Sequence, residues 1–372
     1  MKFVRKSIAH FYFLRSKGNY SPFIFTFVKN KKNNSMKIGI LSSGGDCPGI
    51  NATIRGVGKT AITHYGMEVV GIHGGFSGLL NKDTEVLDEH SLSGILNLGG
   101  TILGTSREKG FREMLTSVDQ EKSQCILQAY QELGLDCLVC IGGNGTQKTT
   151  NLLSEHGLNV IGLPKTIDND IWGTEITFGF DTAVNIATEA IDRLHSTASS
   201  HRRVMLVEVM GHKAGWIALY AGMAGGADVI LVPELGFNPE VVNEAIRERA
   251  RKGKQHSIVV VAEGVKLPDK RKATDFLMKE IEEATGIETR KTVLGYIQRG
   301  GNPSPFDRNL ATQLGGYATE LIANRQFGQM VCVKDGAISS IPLAEVAGKL
   351  KLVTPEHNLI IQGKRMGISF GV

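Results

Sequence analysis

Short apolar runs recur along the chain, each closed by glycine, aspartate or proline and followed by a stretch with helical spacing. KIGILSSGGD (37–46) leads into GINATIRGVGKTAITHYG (49–66), and EVVGIHGG (68–75) follows. CLVCIGGNGT (137–146) precedes QKTTNLLSEHG (147–157), and NVIGLPKTIDND fills 159–170. In NIATEAIDRLHSTASSH (185–201) the apolar residues Ile186, Ala190 and Leu194 recur every four positions, which predicts a helix. RVMLVEVMG (203–211) and SIVVVAEG (257–264) predict strands; PEVVNEAIRERARKG (239–253) between them has Pro at its start and Gly at its end, as a helix does. This alternation predicts an α/β fold built on mostly parallel sheet with helices on both faces. No repeat of fixed period and no low-complexity segment interrupts it.

Ligands of such sheets bind beyond the carboxyl ends of the strands, and the glycine- and aspartate-rich segments all fall there. In SSGGDCPGIN (42–51), two glycines after a strand let backbone N–H groups approach an anion, and the helix that follows adds a favourable dipole. An ordinary tight turn explains this segment equally well. Arg107 in LGGTILGTSREKG (98–110) suits a phosphate clamp and suits a solvated surface no less. IGGNGT (141–146) is more specific, because three glycines in four positions give up backbone entropy unless something must come close. It lacks both the G-K-[ST] ending and the G-x-G-x-x-G spacing, so a phosphate loop of another kind is expected.

In PKTIDND (164–170), Asp168 and Asp170 stand two apart and share a face of an extended chain. One carboxylate can hold a divalent cation while the other acts as a base, with the Thr166 hydroxyl beside them. An acidic turn after a strand is the competing explanation. Basic groups recur downstream at strand edges: Arg202, Arg203, His212, Arg290 and Arg299. A guanidinium fork matches phosphate oxygens, and Glu263 can accept hydrogen bonds from sugar hydroxyls; each taken singly is commonly a surface charge.

The 372 residues, 41% hydrophobic and 21% charged, suffice for two domains or one large α/β unit. No apolar stretch approaches the ~18 residues of a membrane helix. The net charge of +5 is uneven, since residues 1–35 carry eight basic side chains and no acid. Removing those eight from the 42 basic residues leaves 34 against 37 acids, so the body carries −3 and gives no reason to expect nucleic acid. The basic, aromatic segment 1–35 reads as a targeting leader or as an extension upstream of a start at Met36; the abrupt strand onset at MKIGILSSGGD favours the latter. Cys137 and Cys140 form a C-x-x-C inside an apolar strand, where their side chains point to opposite faces. With Cys47, Cys125 and Cys332 they make a sparse, odd set that fits a reducing cytoplasm.

Taken together, GGDCPGIN, GGTILGTSR, GGNGT, PKTIDND, TFGFDTA, VEVMGHKAGW, AEG and LGYIQRGGNPSPFDR, in that order from Met36 to Arg308, resemble the phosphofructokinase family. The resemblance implies transfer of a donor's terminal phosphoryl group to the 1-hydroxyl of fructose 6-phosphate, with Mg2+, in glycolysis. It implies a larger nucleotide-binding domain (36–180 with 292–345) and a smaller sugar-phosphate domain (181–291 with 346–372). Asp168 matches the catalytic base, Thr166 a group on the transferred phosphoryl, and Lys165 a neighbouring cation; Asp170 and Asn144 match the metal position. Gly45, Arg107, Glu108, Gly143, Asn144, Gly145 and Thr146 match the nucleotide site. Thr166, Ile167, Asp168, Arg203, Met210, Gly211, His212, Glu263, Arg290, Tyr296, Ile297, Gln298 and Arg299 match the sugar-phosphate site. In the family Arg203 and Arg290 reach in from a neighbouring subunit, which implies a homo-oligomer, a dimer or tetramer, and an allosteric enzyme of the cytoplasm. Arg55 is a candidate for an effector site, although a surface charge is the stronger reading.

The sequence departs from the best-known bacterial ATP enzymes at four places. Asn144 replaces a magnesium-binding aspartate, Lys165 replaces a glycine and resembles pyrophosphate users, and His212 and Tyr296 replace an arginine and a histidine. Gly145, by contrast, is the small residue of ATP users, where many pyrophosphate enzymes carry aspartate. A side chain there obstructs the α-phosphate, whereas a lysine can swing aside, so ATP is the expected donor and pyrophosphate the alternative. A non-catalytic sugar-phosphate sensor would keep the loops, but it has no need of both Asp168 and Asp170. A nucleotide-cofactor kinase would explain GGNGT but not the acidic segment with its downstream arginines.

Overall fold

The computed structural model describes residues 35–107, 109–116, 120–267, 269 and 271–372; the expectations for the basic segment 1–34 and for Glu108 lie outside them. The strands are β1 Lys37–Ser43, β2 Glu68–Ile72, β3 Thr84–Val86, β4 Cys137–Gly142, β5 Val160–Pro164, β6 Val204–Val209, β7 Val229–Leu231, β8 Ser257–Ala262, β9 Thr289–Val293, β10 Gln329–Lys334 and β11 Ala337–Pro342. They form two sheets, ordered β11-β10-β5-β4-β1-β2-β3 and β7-β8-β6-β9. The smaller sheet is parallel throughout, and the larger is parallel except for its edges, where β3 and β11 run antiparallel.

The strands expected from apolar runs are all present. The runs missed are β3 and β7, of three residues each, the part-exposed β9, and the β10–β11 hairpin. That hairpin turns on Asp335 and Gly336, both with positive φ (51° and 71°), the backbone that a two-residue turn between twisted strands requires.

Register aligns the strand ends. Ser43 lies beside Gly142, and Gly142 beside Pro164, so the loops after β1, β4 and β5 leave the larger sheet at one edge. Val209 lies beside Ala262, and Glu208 beside Val293, which does the same for β6, β8 and β9. In the larger sheet the chain runs outward from β1 to β2 and resumes on β1's other side at β4, which makes the β1–β4 boundary a switch point where ligands bind.

One apolar cluster covers a face of the larger sheet and continues into the smaller, joining Val139, Phe180 and Val207; a second covers the opposite face. Cys137 belongs to the first and Cys140 to the second, as the strand's two-residue period demands. Helices Ile50–Thr60 and Pro305–Ala323 pack backbone to backbone at two glycines. A Cβ on Gly56 would stand 2.8 Å from the Thr312 carbonyl oxygen, and one on Gly315 2.7 Å from that of Thr53. Alanine at either position would push the helices apart.

Candidate active site

The aligned loops enclose a cleft of about 240 Å³ between the two sheets' carboxyl edges. From the larger sheet come Gly45 after β1, the run Gly143, Asn144, Gly145 and Thr146 after β4, and Lys165, Thr166, Ile167, Asp168 and Asp170 after β5. His212 and Arg299 enter from the smaller sheet's side. Segments 120 or more residues apart in sequence therefore meet, as the sequence motifs require.

Helix Asn144–Glu155 begins at the cleft wall, and its first backbone bond is Gln147 N–H to Gly143 C=O, 2.9 Å. The N–H groups of Asn144 and Gly145 precede that bond and have no acceptor within the helix, which suits an anion. Lys165 is only 3% exposed, and its ammonium donates to the Gly45 carbonyl. Arg299 closes the same loop from the other side: a Cβ on Gly45 would stand 2.8 Å from a guanidinium nitrogen. Arg299 also lies over the Tyr296 ring at 5.3 Å.

The two carboxylates face this positive wall. Asp168 Oδ1 is sealed from solvent and has no hydrogen-bond partner. Burial pushes the Asp168 carboxyl up to about 7; the charges of Asp170 and Glu263 act in the same direction, while Arg299 and the Thr166 hydroxyl oppose them. Burial also raises Asp170, against the Asn144 amide and the charges of His212 and Lys351. The Asn144 amide nitrogen donates to the Asp170 main-chain carbonyl at 3.1 Å. The carboxylates do not share a face through an extended chain, as the sequence suggested. Asn169 between them has φ 51°, so a left-handed turn brings both to the cleft.

On the sugar side, His212 also has positive φ (52°), after Gly211 at 146°. A Cβ on Gly211 would stand 2.4 Å from the Ala214 carbonyl oxygen, so only glycine makes this turn. Glu263 accepts the His212 N–H at 2.8 Å and so fixes the turn. Gln298 is fully buried: it accepts the Met210 N–H at 3.3 Å and donates to Gly295 C=O at 3.1 Å, bracing the turn instead of facing the cleft. Tyr296 and Ile297 point outward, 74% and 59% exposed.

Three arginines expected in the site divide differently. Arg299 lines the cleft, whereas Arg203 and Arg290 lie at the opposite, amino ends of β6 and β9. Both clamp Glu288 there, Arg203 at 2.5 Å. The six residues of β6 put Arg203 about 20 Å from that strand's carboxyl end, Arg290 stands level with Met205, three residues before the end of β9, and neither lines the cleft of its own chain. Arg107 is exposed and stands outside the cleft lining, although Ser106 C=O holds the β1 loop through Gly44 N–H at 3.0 Å. Gly44 and Asp46, next to the expected Gly45, also line the cleft. Lys351 was not foreseen, because it joins the acidic loop from 182 residues away with no local motif.

A family model described as phosphofructokinase matches residues 37–322. The chain is 68% identical over 336 residues to ATP-dependent 6-phosphofructokinase 3 of Bacteroides thetaiotaomicron, covering 90% of this chain and 100% of that protein. It is 54% identical over 354 residues to ATP-dependent 6-phosphofructokinase of Spirochaeta thermophila, covering 90% and 97%. Among solved structures, phosphofructokinase from Saccharomyces cerevisiae superposes with TM-score 0.76 at 31% identity over 84% of this chain, which spans only 45% of the yeast chain. The pyrophosphate-dependent phosphofructokinase from Marinobacter aquaeolei, at TM-score 0.77 and 24% identity over 90% of this chain and 88% of its own, shares the fold. A family match over most of the body, together with relatives this similar along their full length, shows that the chain belongs to the phosphofructokinase family.

Proposed function

We propose that the protein is an ATP-dependent 6-phosphofructokinase, a glycolytic phosphotransferase that converts fructose 6-phosphate to fructose 1,6-bisphosphate. The observation that carries this reading is the Asp168 carboxyl, unpartnered at Oδ1 and raised to about 7, facing a helix N-terminus and Arg299 across one cleft. A carboxylate with that pKa takes a hydroxyl proton near neutral pH and is the base for attack on the γ-phosphoryl group. The open amides at Asn144 and Gly145 hold the donor's phosphates, and Lys165, Thr166 and Arg299 offset charge on the transferred group. His212 and Glu263 orient the sugar, with Met210 and Gly211 giving the turn its shape. The segments 36–180 with 292–345 form the nucleotide domain, and 181–291 with 346–372 the sugar-phosphate domain.

Asp170 and Asn144 offer one carboxylate and one amide oxygen, a hard, sparse set that fits Mg2+, which keeps waters and draws its other ligands from phosphates. When bound, Mg2+ neutralises charge on the donor's phosphates. Arg203 and Arg290, remote from their own cleft, complete the sugar-phosphate site of a neighbouring copy, so the working enzyme is a homo-oligomer. We place it in the cytoplasm, in keeping with a sparse, odd set of five cysteines. It has no need of nucleic acid or membrane as partner, and among the described residues no helix is long and apolar enough to cross a membrane.

Donor choice is tested directly. Purified protein should phosphorylate fructose 6-phosphate with ATP and do so poorly with pyrophosphate. Higher turnover with pyrophosphate, the reading that Lys165 favours, would reverse the assignment. The pH profile tests the base. Only ionised Asp168 accepts a proton, so kcat/KM for fructose 6-phosphate should fall about tenfold per unit below pH ~7 and level off above it, since this ratio reports the free enzyme. A flat profile between pH ~5.5 and ~8 would remove Asp168 from that role.

A further inference from the structure

The acidic loop is held from behind by the C-terminal part of the chain. Residues 165 and 178 pair in an isolated bridge and close a loop around Asp168 and Asp170. The Lys351 ammonium enters that loop and donates to three acceptors: Asn169 Oδ1 at 2.8 Å, Thr174 C=O at 3.0 Å and Glu175 C=O at 2.7 Å. An ammonium has three N–H donors, so all are used. Asn169 Oδ1 accepts the Thr177 N–H as well, at 3.1 Å, which fixes the one non-glycine residue of the loop held in the left-handed region. Left-handed backbone in a non-glycine residue costs free energy and persists only where its surroundings over-determine it.

The segment around Lys351 is anchored at both ends. Lys351 N–H donates to Asp170 C=O at 2.9 Å, and Leu350 pairs with Ile171. Trp216 Nε1–H donates to Lys351 C=O at 2.9 Å. Glu234 Oε1 accepts from both Val353 N–H and Gly215 N–H, at 3.0 and 2.9 Å. The strap thus joins the loop of the two carboxylates to the segment that follows the His212 turn.

We infer that Lys351 is a positioning residue for phosphoryl transfer: by filling the 169–175 loop it holds Asn169 left-handed and so aims Asp168 and Asp170 into the cleft. The inference rests on the function proposed for that cleft. Lys351 touches none of the reacting groups, so its removal should displace the base without weakening substrate binding, and a displacement of about 1 Å costs roughly 10²-fold in rate.

The test uses the full chain with Lys351→Met, Lys351→Arg and Asn169→Ala, reading kcat, KM for fructose 6-phosphate, and binding of that sugar phosphate by calorimetry. Lys351→Met should lower kcat about 10²-fold, with KM and calorimetric affinity within threefold of the unmodified protein. Lys351→Arg should recover most of kcat, because the guanidinium still reaches the carbonyls. Asn169→Ala should show the same kcat-only loss, and the double variant should be no worse than the poorer single one. If Lys351→Met does not fold, the kcat and KM of Asn169→Ala and Lys351→Arg decide the matter. A kcat within threefold in Asn169→Ala or Lys351→Met, a loss confined to KM, or additive effects would overturn the inference. An unmodified protein inactive with either donor overturns the reading of the cleft and this inference with it, whereas an active one with indifferent variants overturns only the strap.

Discussion

Asp168→Asn is expected to lower kcat by about 10²–10⁴-fold, the range over which a positioned general base contributes, while calorimetric binding of fructose 6-phosphate survives. The amide keeps the shape of the carboxyl but cannot accept the proton. Burial is the main reason the native carboxyl is raised from 3.8 to about 7, and the same burial ties activity to stability. Between those two values the folded protein binds a proton that the unfolded chain has already released, so stability falls as pH rises through that window. Above about 7 the ionised group imposes its full cost; below 3.8 it imposes none. Asp168→Asn should therefore melt at a higher temperature than the unmodified protein at pH ~8 and lose that advantage near pH ~3.5. Near-normal turnover at the higher pH would rule out Asp168 as base, and a lower melting temperature there would contradict the burial argument.

Gly145→Asp is expected to abolish useful turnover with ATP while leaving the fold and the sugar side intact. Gly145 occupies the first turn of helix Asn144–Glu155 and is not among the positive-φ glycines, so a side chain is compatible with its backbone. An acidic residue near a helix N-terminus complements the dipole, and folding should survive. Its carboxylate would stand where the donor's phosphates must lie. Two like charges ~4 Å apart at an effective dielectric of ~20 repel by ~4 kcal/mol, which is about 10³-fold in kcat/KM for ATP. The measurement is steady-state kinetics with ATP and with pyrophosphate, beside calorimetry with fructose 6-phosphate. A loss of less than tenfold with ATP would show that the donor lies elsewhere.

How much of the site was legible follows from how its residues are held. Gly45, the 143–146 run and the 165–170 segment sit immediately after strands, so strand periodicity and turn chemistry are enough to place them at a sheet edge. Arg107, which has two readings, and Gln298, which the resemblance assigns to the sugar side, differ for the opposite reason. An arginine beside a glycine turn has the same local sequence whether it faces ligand or water, and a glutamine reads alike whether it binds sugar or, as here, braces the Met210 turn. Glu108 lies outside the described residues. Arg203 and Arg290, which the resemblance assigns to a neighbouring copy's site, lie toward the amino ends of β6 and β9 and away from their own cleft, a placement that only strand register shows.

The α/β alternation, the strand-end loops and their chemistry can be read along the chain, because apolar period and glycine placement act over a few residues. Which loops share a cleft, how Asn169 turns its neighbouring carboxylates together, and that Lys351 reaches their loop from the C-terminal segment emerge from the folded chain alone. Strand register and long-range hydrogen bonds fix those relations, and they depend on packing between segments that carry no mark of one another in the chain.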